Sequence, residues 1–253
     1  MKICFAGLEN PIIIKRGCVS TLHIANQTLF ARICQSLLSA KGEEALEPYT
    51  IWSDDNEQIS PSSAFISIAN PFNLPLKHRN LEGNLFAKLY DETLIDESLR
   101  AKLQSVNDQL NSSINSLSMQ LNANYAFAIE WDLGRYLKAF DFGIETSETA
   151  SLLDNLIDFI DLGADMAIDE VLLFVNLKTF LSENDLKQFF DRVIFHGIRV
   201  LLLENQHSQI YNELESKTVV DQHFIEYTVT FQSACPASTQ RRFCSNGFGA
   251  VTY

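Results

Sequence analysis

No phosphate-binding loop occurs anywhere in the 253 residues. Neither GxxxxGK[ST] nor GxGxxG is found, and Gly247-Phe248-Gly249 is a lone GxG in a polar tail. That absence weighs against nucleotide hydrolysis, because phosphates want a Gly-rich turn feeding a helix N-terminus. No CxxC spacing joins any of the five cysteines (Cys4, Cys18, Cys34, Cys235, Cys244), so buried reduced thiols are expected rather than metal or disulfide use. The five histidines (His23, His78, His196, His207, His223) lack HxxxH spacing, and no GxSxG elbow exists. Neither a zinc hydrolase nor a serine hydrolase is indicated. No apolar run nears transmembrane length, and no charged-then-apolar leader pair precedes the first strand, so a soluble, cytoplasmic protein is expected.

Cations are also scarce: 19 Lys/Arg face 32 Asp/Glu, for a net charge of −13. Nucleic-acid binders are usually basic on at least one face. The deficit is local, however. Residues 81–170 hold five Lys/Arg against seventeen Asp/Glu, a balance of −12, and the remainder of the chain balances at −1.

What is present is an α/β repeat. In VLLFVNLKTFLSENDLKQFFDRVIFHGIRVLLLEN, Val171 to Asn205, two continuous apolar runs of strand length flank a helix. Strands buried on both faces read this way when helices cover both sides of a parallel sheet. Ser182 with Asp185 starts the helix, Leu186, Phe189, Phe190, Val193 and Ile194 line one face, and Gly197 stops it. Ligands in such sheets sit beyond the carboxyl ends of the strands, here near Asn176 and Glu204.

Upstream, MKICFAGL, PIIIKRG, CVSTLHIA, YTIWSDD and SAFISIAN read as strands, and Asn26 caps a helix carrying Leu29, Phe30, Ile33, Leu37 and Leu38 on one face. After the junction NPFNLPLKHRN, the apolar steps Leu99, Leu103, Val106, Leu110, Ile114, Leu117 and Leu121 predict one helix from about Leu94 to Leu121. At ~1.5 Å per residue it would be ~40 Å long, and it should project. Its other face is mostly Asn, Gln and Ser. A second helix from about Ser147 buries Leu152, Leu153, Leu156, Ile157 and Ile160, opposite a stripe of Asp154, Asp158, Asp161 and Asp165. That stripe is either a solvated face or a secondary ion or subunit contact. The expected architecture is α/β: a mostly parallel-sheet head in two halves, 1–78 and 168–232, with an inserted elongated α-helical leg, 79–167. Residues 233–253 read as a flexible tail, with a small docking segment as the alternative.

The segments MKICFAGLENPIIIKRG, FAIEWD, KAFDFGIET and the Val171–Asn205 repeat, in that order and spacing over about residues 1–210, resemble the small ring-forming adaptation protein of type II-A CRISPR loci. The resemblance implies a head related to nucleotide-binding folds but without the loop, and no catalytic activity. It implies a homotetrameric ring that takes linear double-stranded DNA ends through its central hole, without sequence specificity, in support of spacer acquisition in antiviral defence. Calcium would stabilise the assembly, and the integrase complex and effector nuclease of the same locus would be partners. By the same resemblance the acidic ion ligands map to Glu130, Asp132 and Glu145. Between Asp132 and Lys138 the chain is about one helical turn shorter than its relatives, which makes Asp141 a substitute ligand. From spacing alone, the same residues read as a solvated acidic loop. For phosphate contacts the candidates are Lys102, Arg135 and Lys138, with repetition around a ring multiplying a sparse set. No aromatic-interleaved basic face exists, so backbone and shape binding is expected.

Two other classes compete. A metal-dependent nuclease could use Glu130, Asp132 and Glu145 with magnesium, although no lysine follows the acidic pair within its segment. A degenerate nucleotide-binding protein would bind ATP measurably in calorimetry.

Overall fold

A computed structural model describes residues 1–127, 131–143, 150–206 and 214–230. Its first strands do not join the parallel sheet. β1 (Lys2–Phe5) and β2 (Ile12–Ile13) are joined by a short connection, which can only reverse the chain, since parallel pairing needs a crossover of a dozen or more residues. β3 (Cys18–Ile24) enters the main sheet and is buried along its whole length. Asn26 caps α1 (Gln27–Ser39) by accepting the Leu29 N–H at 3.0 Å. β4 (Tyr49–Trp52) and β5 (Gln58–Ile59) return to β1, giving a small antiparallel sheet of order β2-β1-β4-β5. After the short α2 (Pro61–Ala64), β6 (Phe65–Ile68) forms one edge of the main sheet.

The leg differs from its expected form. The helix predicted from about Leu94 to Leu121 forms as α4 (Glu97–Ser118), but a helix that the apolar spacing does not predict, α3 (Arg79–Ile95), precedes it, with a break at Asp96 between the two. Asp96 is extended, and its carboxylate accepts the Leu99 N–H at 2.9 Å. The break is therefore an N-cap: a side chain supplies the acceptor that the first turn lacks. α4 has 22 residues, which makes it ~33 Å long. Its apolar stripe is left open, with Leu99, Val106, Leu110, Ile114 and Leu117 between 40% and 64% exposed. α5 (Leu133–Ala139) packs on α3 through the buried Leu137.

The chain then returns through α6 (Leu152–Asp165), β7 (Val171–Val175), α7 (Glu183–His196), β8 (Arg199–Glu204), β9 (Glu215–Val220) and β10 (Glu226–Thr230). The main sheet has the order β10-β9-β3-β8-β7-β6, parallel except at the β9–β10 edge pair. The β7-α7-β8 unit follows its sequence reading closely. Ser182 and Asp185 form a reciprocal capping box, and Gly197 closes α7 at φ 66°, a left-handed conformation that glycine adopts without penalty.

Successive residues of each central strand face opposite layers. Leu172, Phe174, Val200 and Leu202 pack against Leu156, Phe159 and Ile160 of α6 and Phe189, Phe190 and Val193 of α7. Leu173, Leu201 and Leu203 pack against Phe30, Ile33 and Leu37 of α1 and against Ile3 and Ile51 of the small sheet. Both faces are thus covered, which is what the unbroken apolar strands require. The second helix of the expected leg, α6, lies inside this core, so the segment 79–167 rejoins the head well before residue 167. Gly163 lets it approach closely, since a Cβ there would meet the Ile168 Cδ1 at 2.9 Å.

Candidate functional site

The carboxyl ends of the parallel strands are where this class of sheet places a ligand. Here that pole is filled by the protein's own polar side chains. Asn176 takes a left-handed conformation after β7, and its Oδ1 accepts the Asn205 N–H at 3.1 Å. The turn Leu177–Thr179 then aims inward: the Lys178 N–H donates to Glu204 Oε1 at 3.0 Å, and the Lys178 ammonium pairs with Glu215. The Thr21 hydroxyl donates to the same Glu215 carboxylate at 3.2 Å. Lys178 and Glu215 are only 7% and 2% exposed at their side chains, and His23, Glu204 and Lys217 are buried with them. The Lys178 turn and Glu204 thus cover the pole, where a phosphate site would offer a glycine-rich turn, and the Lys178 side chain runs back along the sheet to Glu215, the first residue of β9. The sequence carried a faint signal of this cluster: Glu204 ends an apolar strand, and Glu215 and Lys217 lie on one face of β9.

Burial pushes the Glu204 carboxyl up to about 7, against the opposing pull of the Lys178 N–H and ammonium, and burial lowers the Lys217 ammonium. A carboxyl in the unfolded chain titrates near 4.5. Between those values the folded protein holds a proton that the unfolded chain has lost. Stability therefore falls as pH rises from 4.5 to 7, by about 3 kcal/mol in all. Glu204→Gln removes this dependence. Its melting temperature should exceed the parent's by roughly 6–10 °C at pH 8 and match it at pH 4.5. Equal melting at both pH values would refute the assignment.

The acidic candidates of the leg are placed as follows. Asp132 is the N-cap of α5, one carboxylate oxygen accepting the Arg135 N–H at 2.8 Å. Asp141 adopts φ 53°, and its two oxygens accept from the Lys77 ammonium at 2.7 and 2.6 Å. Glu130 and Glu145 lie outside the described residues. Among the described residues no group of three or more His, Cys, Asp or Glu gathers as an ion site. Calcium takes six to eight oxygens. Asp132 has one carboxylate oxygen beyond its cap bond, and Asp141 would first have to release Lys77. Both partners of that pair are over 70% exposed, so separating them costs at most ~1 kcal/mol. The donor chemistry fits a hard cation, and convergence of the ligands depends on Glu130 and Glu145.

Of the basic candidates, Arg135 and Lys138 are exposed, three residues apart on α5 and so on one face. Lys102 is exposed on a separate helix, α4. The aspartate stripe of α6 is not uniformly solvated. Asp154 belongs to a capping box with Ser151, and Asp161 binds the Arg192 guanidinium, which holds its carboxyl below the usual range, with His196 at 3.0 Å. Asp158 and Asp165 remain exposed. Cys4, Cys18 and Cys34 form no disulfide, and burial pushes Cys34 up to about 11, as inert core cysteines behave.

No described helix is long and apolar enough to cross a membrane. The fold is an α/β head on a mostly parallel six-stranded sheet, of nucleotide-fold type, with an appended helical leg. Residues 43–224 match the family described as CRISPR-associated protein (Cas_Csn2), and the chain belongs to that family. It is 21% identical over 212 residues to CRISPR-associated protein Csn2 of Enterococcus faecalis, covering 81% of this chain and 90% of that one. Its fold is similar to the crystal structure of Stu0660 of Streptococcus thermophilus, with a TM-score of 0.58 and 15% identity over 87% of this chain and 75% of the other.

Proposed function

We propose that this CRISPR-associated protein is a non-catalytic adaptation subunit. It assembles as a homotetrameric ring and holds linear double-stranded DNA ends in its hole during spacer acquisition. The observation that carries this reading is the open stripe on α4. Five large apolar side chains, 40–64% exposed, recur along ~33 Å of a helix whose other face is mostly amides and hydroxyls. A stripe of that length calls for a covering surface, and copies of the same helix supply one with matching spacing. The self-filled pole of the head supports a scaffold role over an enzymatic one.

In this reading Arg135, Lys138 and Lys102 face phosphates, and Asp132, Glu130 and Glu145, with Asp141 once freed from Lys77, hold calcium. The ion supplies charge compensation to an acidic leg, allowing the legs to approach one another and the polyanion. The integrase complex and the effector nuclease of the locus are the expected partners, and the cytoplasm the expected compartment.

Two measurements test it. Linear duplex should shift on native gels with calcium present while closed circular duplex does not, and equal affinity for both would sink end-threading. Labelled duplex incubated with magnesium should stay intact, whereas cutting would favour the nuclease reading. For the cations, Arg135→Gln with Lys138→Gln should weaken binding uniformly across sequences. It should also flatten the dependence of log affinity on log salt by roughly one unit for each phosphate no longer neutralised. An unchanged slope would remove α5 from the DNA surface.

A further inference from the structure

Residues 231–253 contain two charged side chains, Arg241 and Arg242, followed directly by Phe243. This segment is therefore +2, on a chain whose total is −13. The proposed function makes no use of it. A groove of suitable chemistry lies between α3, the turn at 141–143 and the C-terminal half of α6. It consists of two adjoining cavities of about 230 and 420 Å³, both lined by Leu85, Phe142 and Leu162. Leu162 and Met166 form a buried apolar floor, and Phe142 stands half-exposed at the rim. Asp158 and Asp165 line the α6 side and are exposed, and the nearest cation to the Asp165 carboxylate is Lys88, at 3.8 Å.

We infer that this groove is the docking site of the chain's own C-terminal segment, with Phe243 on the apolar floor and Arg241 and Arg242 against Asp158 and Asp165. Three observations converge on that occupant. The first is charge: an apolar floor with a carboxylate rim suits an Arg-Arg-Phe sequence, and Arg192 already takes the Asp161 carboxylate between the two, leaving Asp158 and Asp165 exposed. The second is direction. β10 runs antiparallel to the parallel strands, so the chain leaves Thr230 toward their amino ends, and Met166 lies just ahead of the amino end of β7. The third is reach. β7 is four strand steps from β10, which is ~19 Å at ~4.8 Å per step, plus ~10 Å for the helix layer. Arg241 follows Thr230 by eleven residues, which span up to ~36 Å when extended.

The native Cys244, two residues beyond Arg242, provides the test. Gly143 lines both cavities, and a Cβ there meets nothing within 4 Å, so Gly143→Cys is tolerated sterically. The full chain carrying Gly143→Cys is oxidised with copper phenanthroline, mixed with isotope-labelled copies, and its disulfides are mapped by mass spectrometry. The reference is Ser112→Cys on the exposed polar face of α4. The expected result is an intrachain disulfide to Cys244 at least tenfold above that reference. It should fall at least fivefold when Arg241 and Arg242 are both replaced by Ser, or Asp158 and Asp165 both by Asn. No excess over the reference, a disulfide found only between chains, or insensitivity to both charge removals would overturn the assignment.

Discussion

Leu110→Glu with Ile114→Glu is expected to disperse the proposed ring to monomers at concentrations where the parent is expected to sediment as a tetramer, and to abolish the proposed retention of linear duplex. Covering a large aliphatic side chain contributes about 1.5–3 kcal/mol. Two such residues per chain are replaced by carboxylates that a shared seam would have to bury, so association should weaken by more than a thousandfold. The folded monomer should barely notice. Both side chains are 40–52% exposed in the single chain, and exposed substitutions usually change stability by no more than ~0.5 kcal/mol. Ser105→Glu with Ser112→Glu, on the polar side of the same helix, adds equal charge and should leave the sedimentation coefficient unchanged. A tetramer that survives the apolar-stripe variant would mean that α4 is not the seam. A loss in both variants would trace the effect to net charge instead.

Lys178→Met is expected to cost the head about 3 kcal/mol at pH 8, read from urea melts. Removing one partner of a buried ion pair typically costs ~3–5 kcal/mol, because the other charge is left without compensation. The lower end applies here, since the Thr21 hydroxyl still donates to Glu215 and Lys217 lies nearby. The double variant Lys178→Met with Glu215→Gln should recover most of the loss, because a neutral amide no longer needs a cation. If the double variant is as unstable as the single one, the cost is packing around the lysine stem and the charge pair is incidental. ATP calorimetry on the parent bears on the same pole: heat of binding would show that this cluster opens to admit a phosphate.

The β7-α7-β8 unit was fully legible in the chain. Its strands are unbroken apolar runs, its helix begins at a Ser182–Asp185 box, and it ends at a glycine that adopts the left-handed conformation. These are local signals, read within a few residues of where they act. The cap at Asp96 was also local, placing the start of α4 within three residues of its expected position, whereas α3 has no comparably regular apolar stripe and was not legible. The acidic excess of residues 81–170 and the apolar stripe of α4 were both visible from composition and spacing, whereas the exposure of that stripe was not.

By itself, then, the amino-acid order determined the element types, the stops and starts, and the segregation of charge into one segment, because capping, periodicity and turn chemistry operate over three or four residues. Only the tertiary structure decided which elements meet. It sent β1, β2, β4 and β5 to a separate sheet and drew α6 out of the leg into the core. It also brought the Lys178 turn onto Glu204 at the pole where a phosphate would sit, and buried the Lys178 ammonium on Glu215 and Thr21 along the sheet. Those outcomes join residues up to 194 positions apart, as Thr21 is from Glu215. No pattern along the chain encodes such pairs, because their free energy appears only when folding removes both partners from water.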